Sequence, residues 1–324
     1  MRVAAVVPTF NSRDWLEGCL RSLLAQTRRF AEVVVVDDAS TDGSVEWLRR
    51  EWPAVSVVGL ERNQGFAAAA NRGVAAAASE CDAIALVNTD VELASDWLDR
   101  TAAVLEANPQ VGAVATKMVS LREEGLLDDC GDVLRRDGAC EQRGHGWPDD
   151  GRWDTPGEVF GACAGAALYR RSAFVAAGGF EERFLAYLED VDLALRLRLA
   201  GWRCRYEPAV ARHWRSGAGG GGGPGRPIAS LVERNTLLLC ARAFPWRWWA
   251  GPMLYRQVAW AVRAAQRGNL REFLRGAIAA LPLLPQFLAE RRALRRSAVV
   301  PIEAVVPPRP FRGPRAGGHP RAGF

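Results

Sequence analysis

The chain has 324 residues, 49% of them hydrophobic and 24% charged, with a formal net charge of +5 and a pI near 9.0. This is ordinary globular composition, and no stretch reaches the uninterrupted apolar length of a membrane span. The charge is uneven: from Cys240 onward 15 Arg face 3 acidic residues, whereas residues 1–239 carry 27 basic against 34 acidic residues. That excludes a nucleic-acid-binding core, whose basic footprint would lie on the folded face.

Lys117 is the single lysine, and the other 41 basic residues are Arg. This bias, with Ala runs such as Ala67 to Ala70, fits a G+C-rich genome and carries little functional information. Seven cysteines (19, 81, 130, 140, 163, 204, 240) form no C-x-x-C pair and no leader precedes the first strand, so free thiols in a reducing cytosol are expected. The spacing of Cys130, Cys140 and His145 fits no standard zinc pattern.

In chain order, Val3 to Val7 reads as a buried strand ended by Pro8-Thr9-Phe10-Asn11. Asn11 or Ser12 is placed to cap a helix with Trp15, Leu16, Cys19, Leu20, Leu23 and Leu24 on its apolar face. A second strand, Glu32 to Val36, stops at Asp37-Asp38-Ala39-Ser40-Thr41-Asp42-Gly43. A helix with Val45, Trp47 and Leu48 follows, then a strand at Val55 to Val58. After Arg62-Asn63-Gln64-Gly65-Phe66 comes an Ala-rich helix through Ala78. The next strand, Ala85-Leu86-Val87, ends abruptly in Asn88-Thr89-Asp90. Alternating strands and helices imply a parallel sheet with right-handed crossovers.

Three strands thus end in polar or acidic residues, along the edge where ligands of open α/β sheets bind. There Asp90 is a candidate ligand for a hard cation shared with substrate phosphates; the alternative is that Asn88-Thr89-Asp90 caps the next helix. Neither G-x-G-x-x-G nor G-x-x-x-x-G-K-[ST] is present, so a nucleotide would be held by carboxylates and a metal.

Val6-Val-Pro-Thr-Phe-Asn11, Val35-Val-Asp-Asp-Ala-Ser-Thr-Asp-Gly43, Asn63-Gln-Gly-Phe66 with Asn71-Arg72-Gly73, and Asn88-Thr-Asp90 occur in the order seen in family 2 glycosyltransferases. Gly165-Ala-Ala-Leu-Tyr-Arg-Arg171, Gly178-Gly-Phe-Glu-Glu-Arg-Phe184, Tyr187-Leu-Glu-Asp-Val-Asp-Leu193, His213 and Arg234-Asn235 continue the pattern. The chain resembles the rhamnosyltransferase-like branch of that family over about its first 240 residues. The resemblance implies a GT-A nucleotide-sugar-binding fold: an α/β domain with a mostly parallel central sheet flanked by helices. The expected layout is a catalytic domain over 1–239, a basic amphipathic helical region over 240–300 and a disordered Pro/Gly/Arg-rich tail over 301–324.

By the same resemblance, Asp38 contacts the nucleotide base, where a carboxylate accepts the N3–H of uracil or thymine. Pro8, Thr9, Asn11, Asn63, Gly65, Asn71, Asn88, Thr89 and Asp90 make up the nucleotide-sugar site. The family's D-x-D metal motif survives as Asn88-Thr89-Asp90, with charge only on Asp90. His213 resembles a second metal ligand and mildly favours Mn²⁺ over Mg²⁺; the alternative is a structural histidine at a strand end. Asp190 carries the family's general-base role, with Glu189 and Asp192 as substitutes. Acidic residues in a first helical turn are also expected from the helix dipole alone. The reaction implied is a single displacement with inversion, from a UDP- or dTDP-sugar to a cell-envelope glycan or lipid-linked acceptor.

The Gly-rich stretch 217–225 reads as a flexible linker or a lid over bound donor. Beyond it, Trp246-Arg-Trp-Trp249, a helix to Gln266, a helix over Leu270 to Leu281 (Leu270, Phe273, Leu274, Ala277, Ile278, Leu281) and Arg291, Arg292, Arg295, Arg296 suit an interfacial surface on an anionic membrane. Packing on the catalytic domain or on a second subunit is the competing expectation. The site would then work at the cytoplasmic face of the inner (plasma) membrane. A catalytically inactive glycan- or nucleotide-binding module is the alternative function. A nucleotidyltransferase would need the phosphate loop that is missing.

Overall fold

Alternating small apolar residues build the centre of the protein, because successive side chains of a strand point to opposite faces. In the computed structural model, which describes residues 1–214 and 228–308, Val3, Ala5 and Val7 of β1 (Val3–Thr9) pack on one face with Leu16, Leu20 and Leu23 of α1 (Arg13–Leu24). Ala4 and Val6 pack on the other with Ala67, Ala70 and Val74, which belong to a later helix, α3. The same split continues through β2 (Glu32–Asp37) and, past α2 (Ser44–Glu51), β3 (Ser56–Gly59), α3 (Phe66–Ala76) and β4 (Ala83–Val87). A Cβ at Gly73 of α3 would lie 2.3 Å from Val6 Cγ1, so glycine sets how closely that helix approaches the sheet.

The strand order β3-β2-β1-β4 is parallel throughout. After β4 come β5 (Val91–Leu93), α4 (Trp97–Ala107), β6 (Val111–Ser120), β7 (Leu127–Asp129) and the hairpin of β8 (Asp132–Leu134) and β9 (Cys140–Gln142). Next are β10 (Gly157–Val159), β11 (Ala166–Arg170), α5 (Arg171–Ala176), α6 (Glu189–Leu199) and β12 (Arg203–His213). Strand β11 runs antiparallel between β4 and β6, and β12 lies parallel to β6. The parallel alternation read from the sequence therefore holds up to β4 and gives way to mixed directions beyond it.

Two local expectations change. Asn88-Thr89-Asp90 caps no helix, since β5 follows directly and α4 begins only at Trp97. Asn11 does not cap α1 either: it adopts a left-handed φ of 47° and its Oδ1 accepts from the Thr41 N–H at 2.8 Å, tying the β1 loop to the β2 loop. Ser12 occupies the N-cap position without a side-chain capping bond.

Helix α7 (Ile228–Ala243) crosses the expected boundary at residue 239 and is buried along most of its length. Helices over Leu254–Gln266, Leu270–Ala280 and Leu284–Ser297 follow. A third core cluster joins the last two of these helices to α6 and α7 through Phe184, Leu195, Leu239, Phe244, Trp248, Ala280 and Phe287. The disorder expected from Pro301 does not apply to its first residues: Ile302–Val305 is a short helix, with Val305 and Val306 buried. The Gly-rich stretch 217–225 and residues 309–324 lie outside the described residues.

Candidate active site

Because β1, β2 and β4 are parallel, their polar ends share one edge. Thr9 pairs with Asp37, and the Asp38 N–H donates to the Thr9 carbonyl at 2.8 Å. Pro8 and Thr9 are buried in the strand, and Thr9 Oγ1 has no protein partner among the described residues. Asp38 is buried, and its two oxygens accept the backbone N–H groups of Gln64 (2.7 Å) and Gly65 (2.8 Å). Burial raises its pKa against the pull of those two amides. Asp38 therefore clamps the Asn63–Gly65 loop to the sheet edge while Asn63 donates to its carbonyl. Gly65 has a φ of +91°, and a Cβ there would lie 2.9 Å from the Leu185 carbonyl. Asn71 stands apart from this group. Its amide is engaged by Phe180 N and O and by Glu182, so it pins the loop before α6.

Asp90 and His213 are brought together by register. His213 lies opposite Val91, the neighbour of Asp90, and the Trp214 N–H donates to the Asp90 carbonyl at 3.0 Å. His213 Nε2 sits 3.4 Å from Asp90 Oδ2, and both residues are buried. Behind the ring, Nδ1 is 2.5 Å from Asp128 Oδ2. Between Met118–Asp129 and Val119–Leu127 the β6–β7 register skips Asp128, and such a bulge re-aims a side chain. Burial alone would lower the His213 pKa, but bonds to Asp128 and Asp90 carry it up to about 9.

Among the described residues no group of three or more His, Cys, Asp or Glu side chains forms a ready metal cage. Asp90 Oδ2 and His213 Nε2 nevertheless converge, and a carboxylate fixes the far ring nitrogen, as behind histidine ligands generally. Two protein donors, completed by water and phosphate oxygens, fit a divalent ion.

Asp190 lies across the same edge. The Asn88 N–H donates to the Gly165 carbonyl at 2.9 Å, and on the same short loop the Ala164 N–H donates to Asp190 Oδ2 at 3.1 Å. The Val191 N–H holds Oδ1 at 2.8 Å. Burial raises the Asp190 pKa against these donors, so the helix start does not hold it as low as its dipole alone would. Glu189 is buried with Oε2 unpaired, and burial followed by the Asp190 charge pushes its carboxyl well above the usual range. Asp192 is no substitute base: it is buried, receives Arg242 Nη1 at 2.8 Å and is also bonded by Arg196.

Sequence reasoning missed the acids of β7 and β8. Asp129 accepts the Gly131 N–H at 2.5 Å and is raised to about 7, chiefly by burial. Asp132 is raised well above the usual range by burial and then by Asp190. Asn235, read from the sequence only as part of the family pattern, was given no role; its Nδ2 donates to the carbonyls of Phe184, Ala186 and Tyr187. Leu185, Tyr187 and Leu188 there have positive φ, so Asn235 ties down the strained turn that presents Asp190. The dense run Asp128-Asp129-Cys130-Gly131-Asp132 was the available signal for the first group.

This arrangement agrees with a match of residues 4–176 to the model for glycosyl transferase family 2. The chain belongs to that family. It is thus a glycosyltransferase on a GT-A fold. The N-acetylglucosaminyl-diphospho-decaprenol L-rhamnosyltransferase of Mycobacterium tuberculosis is 28% identical over 316 residues, 90% of this chain and 94% of that protein. The O-antigen biosynthesis protein RfbC of Myxococcus xanthus is 29% identical over 65% of this chain and 17% of its own. Among solved structures, GalNAc-T7 with UDP, GalNAc and Mn²⁺ aligns with TM-score 0.60 at 15% identity, over 75% of this chain and 48% of that one. S. aureus TarS 1-349 with UDP-GlcNAc aligns with TM-score 0.53 at 18% identity, over 94% and 84%. These structures speak for the fold alone, and the chain spans about half the length of GalNAc-T7.

Proposed function

We propose that this glycosyltransferase is inverting and moves a sugar from a UDP- or dTDP-sugar, with dTDP-rhamnose the first candidate, to a hydroxyl of a cell-envelope glycan or lipid-linked acceptor. The carrying observation is the hydrogen bonding of Asn88 to Gly165 and of Ala164 to Asp190, which sets a carboxylate beside the strand edge that carries Asp38 and Asp90. Asp190 takes the acceptor hydroxyl's proton as that oxygen attacks the anomeric carbon. The carbon's bond to the nucleoside diphosphate breaks on the opposite face, which inverts the configuration. A backbone-held carboxylate with a raised pKa suits general-base work near neutral pH.

Asp38 orders the loop at the nucleotide end, with Pro8, Thr9, Asn11, Asn63 and Gly65 shaping its walls and Asn88 and Thr89 beside the ribose, while Asn71 acts at a distance by pinning the loop before α6. Asp90 and His213 would hold Mn²⁺ or Mg²⁺, which neutralises the leaving diphosphate. The lipid-linked acceptor is supported by the name of the mycobacterial relative. No helix among the described residues is long and apolar enough to cross a membrane. The lipid-linked acceptor and the basic helices after Cys240 support a peripheral position at the cytoplasmic face of the inner membrane. Residues 1–239 are proposed as the catalytic domain and the basic helices after them as its appendage.

The test uses the full chain with a panel of nucleotide sugars and Mn²⁺. It measures donor hydrolysis, then transfer to polyprenyl-diphosphate-linked N-acetylglucosamine. Metal-dependent turnover that disappears with EDTA and in Asp90→Ala is expected. Binding of a nucleotide sugar without any turnover would instead make the chain an inactive binding module.

A further inference from the structure

The helix Leu270–Ala280 is apolar on two faces, and the fold covers one of them. Phe273, Gly276 and Ala280 turn inward. A Cβ at Gly276 would lie 2.4 Å from the Ser230 carbonyl, so this side is pressed against α7. Leu270, Leu274, Ile278 and Leu281 face outward, with Ile278 64% exposed. On the preceding helix, Leu254–Gln266, Arg256 is the buried residue, whereas Leu254, Tyr255, Val258 and Val262 are exposed along the outer side, Tyr255 by 77%. Scattered exposed apolar residues are normal, but contiguous stripes on neighbouring helices mark a surface that something else covers.

The charge around the stripes selects the occupant. Arg263, Arg271 and Arg275 are exposed beside them, and Arg292, Arg295 and Arg296 are exposed on the helix Leu284–Ser297. None of the described acidic residues after Cys240 is fully exposed, and Glu290 and Glu303 are already paired, with Arg183 and Arg242 and with Arg247. A second copy docked face to face through the same helices would set Arg against Arg, and like charges across an interface are costly. An anionic bilayer supplies the missing negative charge and takes the apolar side chains into its headgroup–acyl boundary. We propose that the paired helices Leu254–Gln266 and Leu270–Ala280 are the docking surface of this protein on anionic lipid. This deepens the peripheral placement proposed above but stands on the exposed faces themselves. Helix α7, on which the surface rests, also carries Asn235, so the docked face and the turn before Asp190 share one support.

The test is co-sedimentation of the full chain with vesicles of mixed phosphatidylglycerol and phosphatidylcholine, and with phosphatidylcholine alone. Binding is expected only with the anionic vesicles, falling as salt rises. The double variants Leu274→Glu/Ile278→Glu and Arg271→Glu/Arg275→Glu should each weaken it by about tenfold or more. Circular dichroism and donor hydrolysis should be unchanged in both, since all four side chains are exposed. Wild-type protein that ignores anionic vesicles overturns the proposal, as does binding that survives Leu274→Glu/Ile278→Glu. A dimer in sedimentation equilibrium that this variant dissociates, with vesicle binding intact, gives the face to a second copy and also overturns it. Donor hydrolysis reads the catalytic proposal separately, so failure of one leaves the other standing.

Discussion

Asp128 holds His213 from behind: its Oδ2 lies 2.5 Å from the ring's Nδ1, while Nε2 faces Asp90 3.4 Å away. The contact depends on the shift of the β6–β7 register at Asp128. With Nδ1 fixed, Nε2 is the nitrogen left to meet a metal.

Asp128→Asn should therefore weaken Mn²⁺ binding by about 10–100-fold, the usual effect of losing the group behind a ligating histidine. Calorimetric titration of Mn²⁺ in the presence of UDP or dTDP measures it. Unchanged affinity would remove Asp128 from this role.

Asp190→Asn keeps the side chain's size and one of its two accepted backbone N–H bonds and removes the base, so transfer should fall by about 10²–10⁴-fold while donor binding persists. Burial raises the Asp190 pKa in the folded chain, and the base works only when ionised. Turnover should thus fall with decreasing pH through a value above the ordinary aspartate pKa of about 3.9. The raised pKa also means that ionising Asp190 costs the fold stability as pH rises.

The strand ends at Thr9, Asp38 and Asp90 were legible because each closes a short apolar run, a local signal. What the chain order hides is non-local. Asp128 reaches His213 only through two strand pairings and a bulge, none of which leaves a mark on spacing. Asp192 reads as an acidic first-turn residue like Asp190, yet Arg242, 50 positions later, takes it into the core. The apolar pattern of 270–281 was clear, but it did not say that Phe273 faces α7 while Ile278 faces outward.

Asn235→Ala should loosen the turn before Asp190. The side chain is fully buried and satisfies three carbonyls; stranding such groups costs about 1–3 kcal/mol. Leu185, Tyr187 and Leu188 are then free to relax from their left-handed conformations, carrying Asp190 out of position. A lower urea midpoint together with a fall in kcat larger than any change in donor KM is expected. A stability loss with unchanged kcat would make Asn235 structural only.

Arg242 ties the helix Leu284–Ser297 to the start of α6. Its guanidinium meets Asp192 at 2.8 Å, Glu290 at 2.7 Å and also Glu181, and stacks over Phe287 at 4.4 Å. Arg242→Met should cost about 1.5–3 kcal/mol, because it takes from Asp192, Glu181 and Glu290 one of the two arginines that each of them has. The pH dependence follows from Glu181: burial alone would raise its pKa, but Arg183 and Arg242 bring it down to about 2. A depressed folded pKa contributes stability that is present above the unfolded value of about 4.3 and is lost as pH falls toward 2. Wild-type stability measured by urea denaturation should therefore drop between pH 5 and pH 2 by more than that of Arg242→Met, which lacks one of the two groups depressing Glu181. Equal pH slopes would show that Arg183 alone sets the Glu181 pKa.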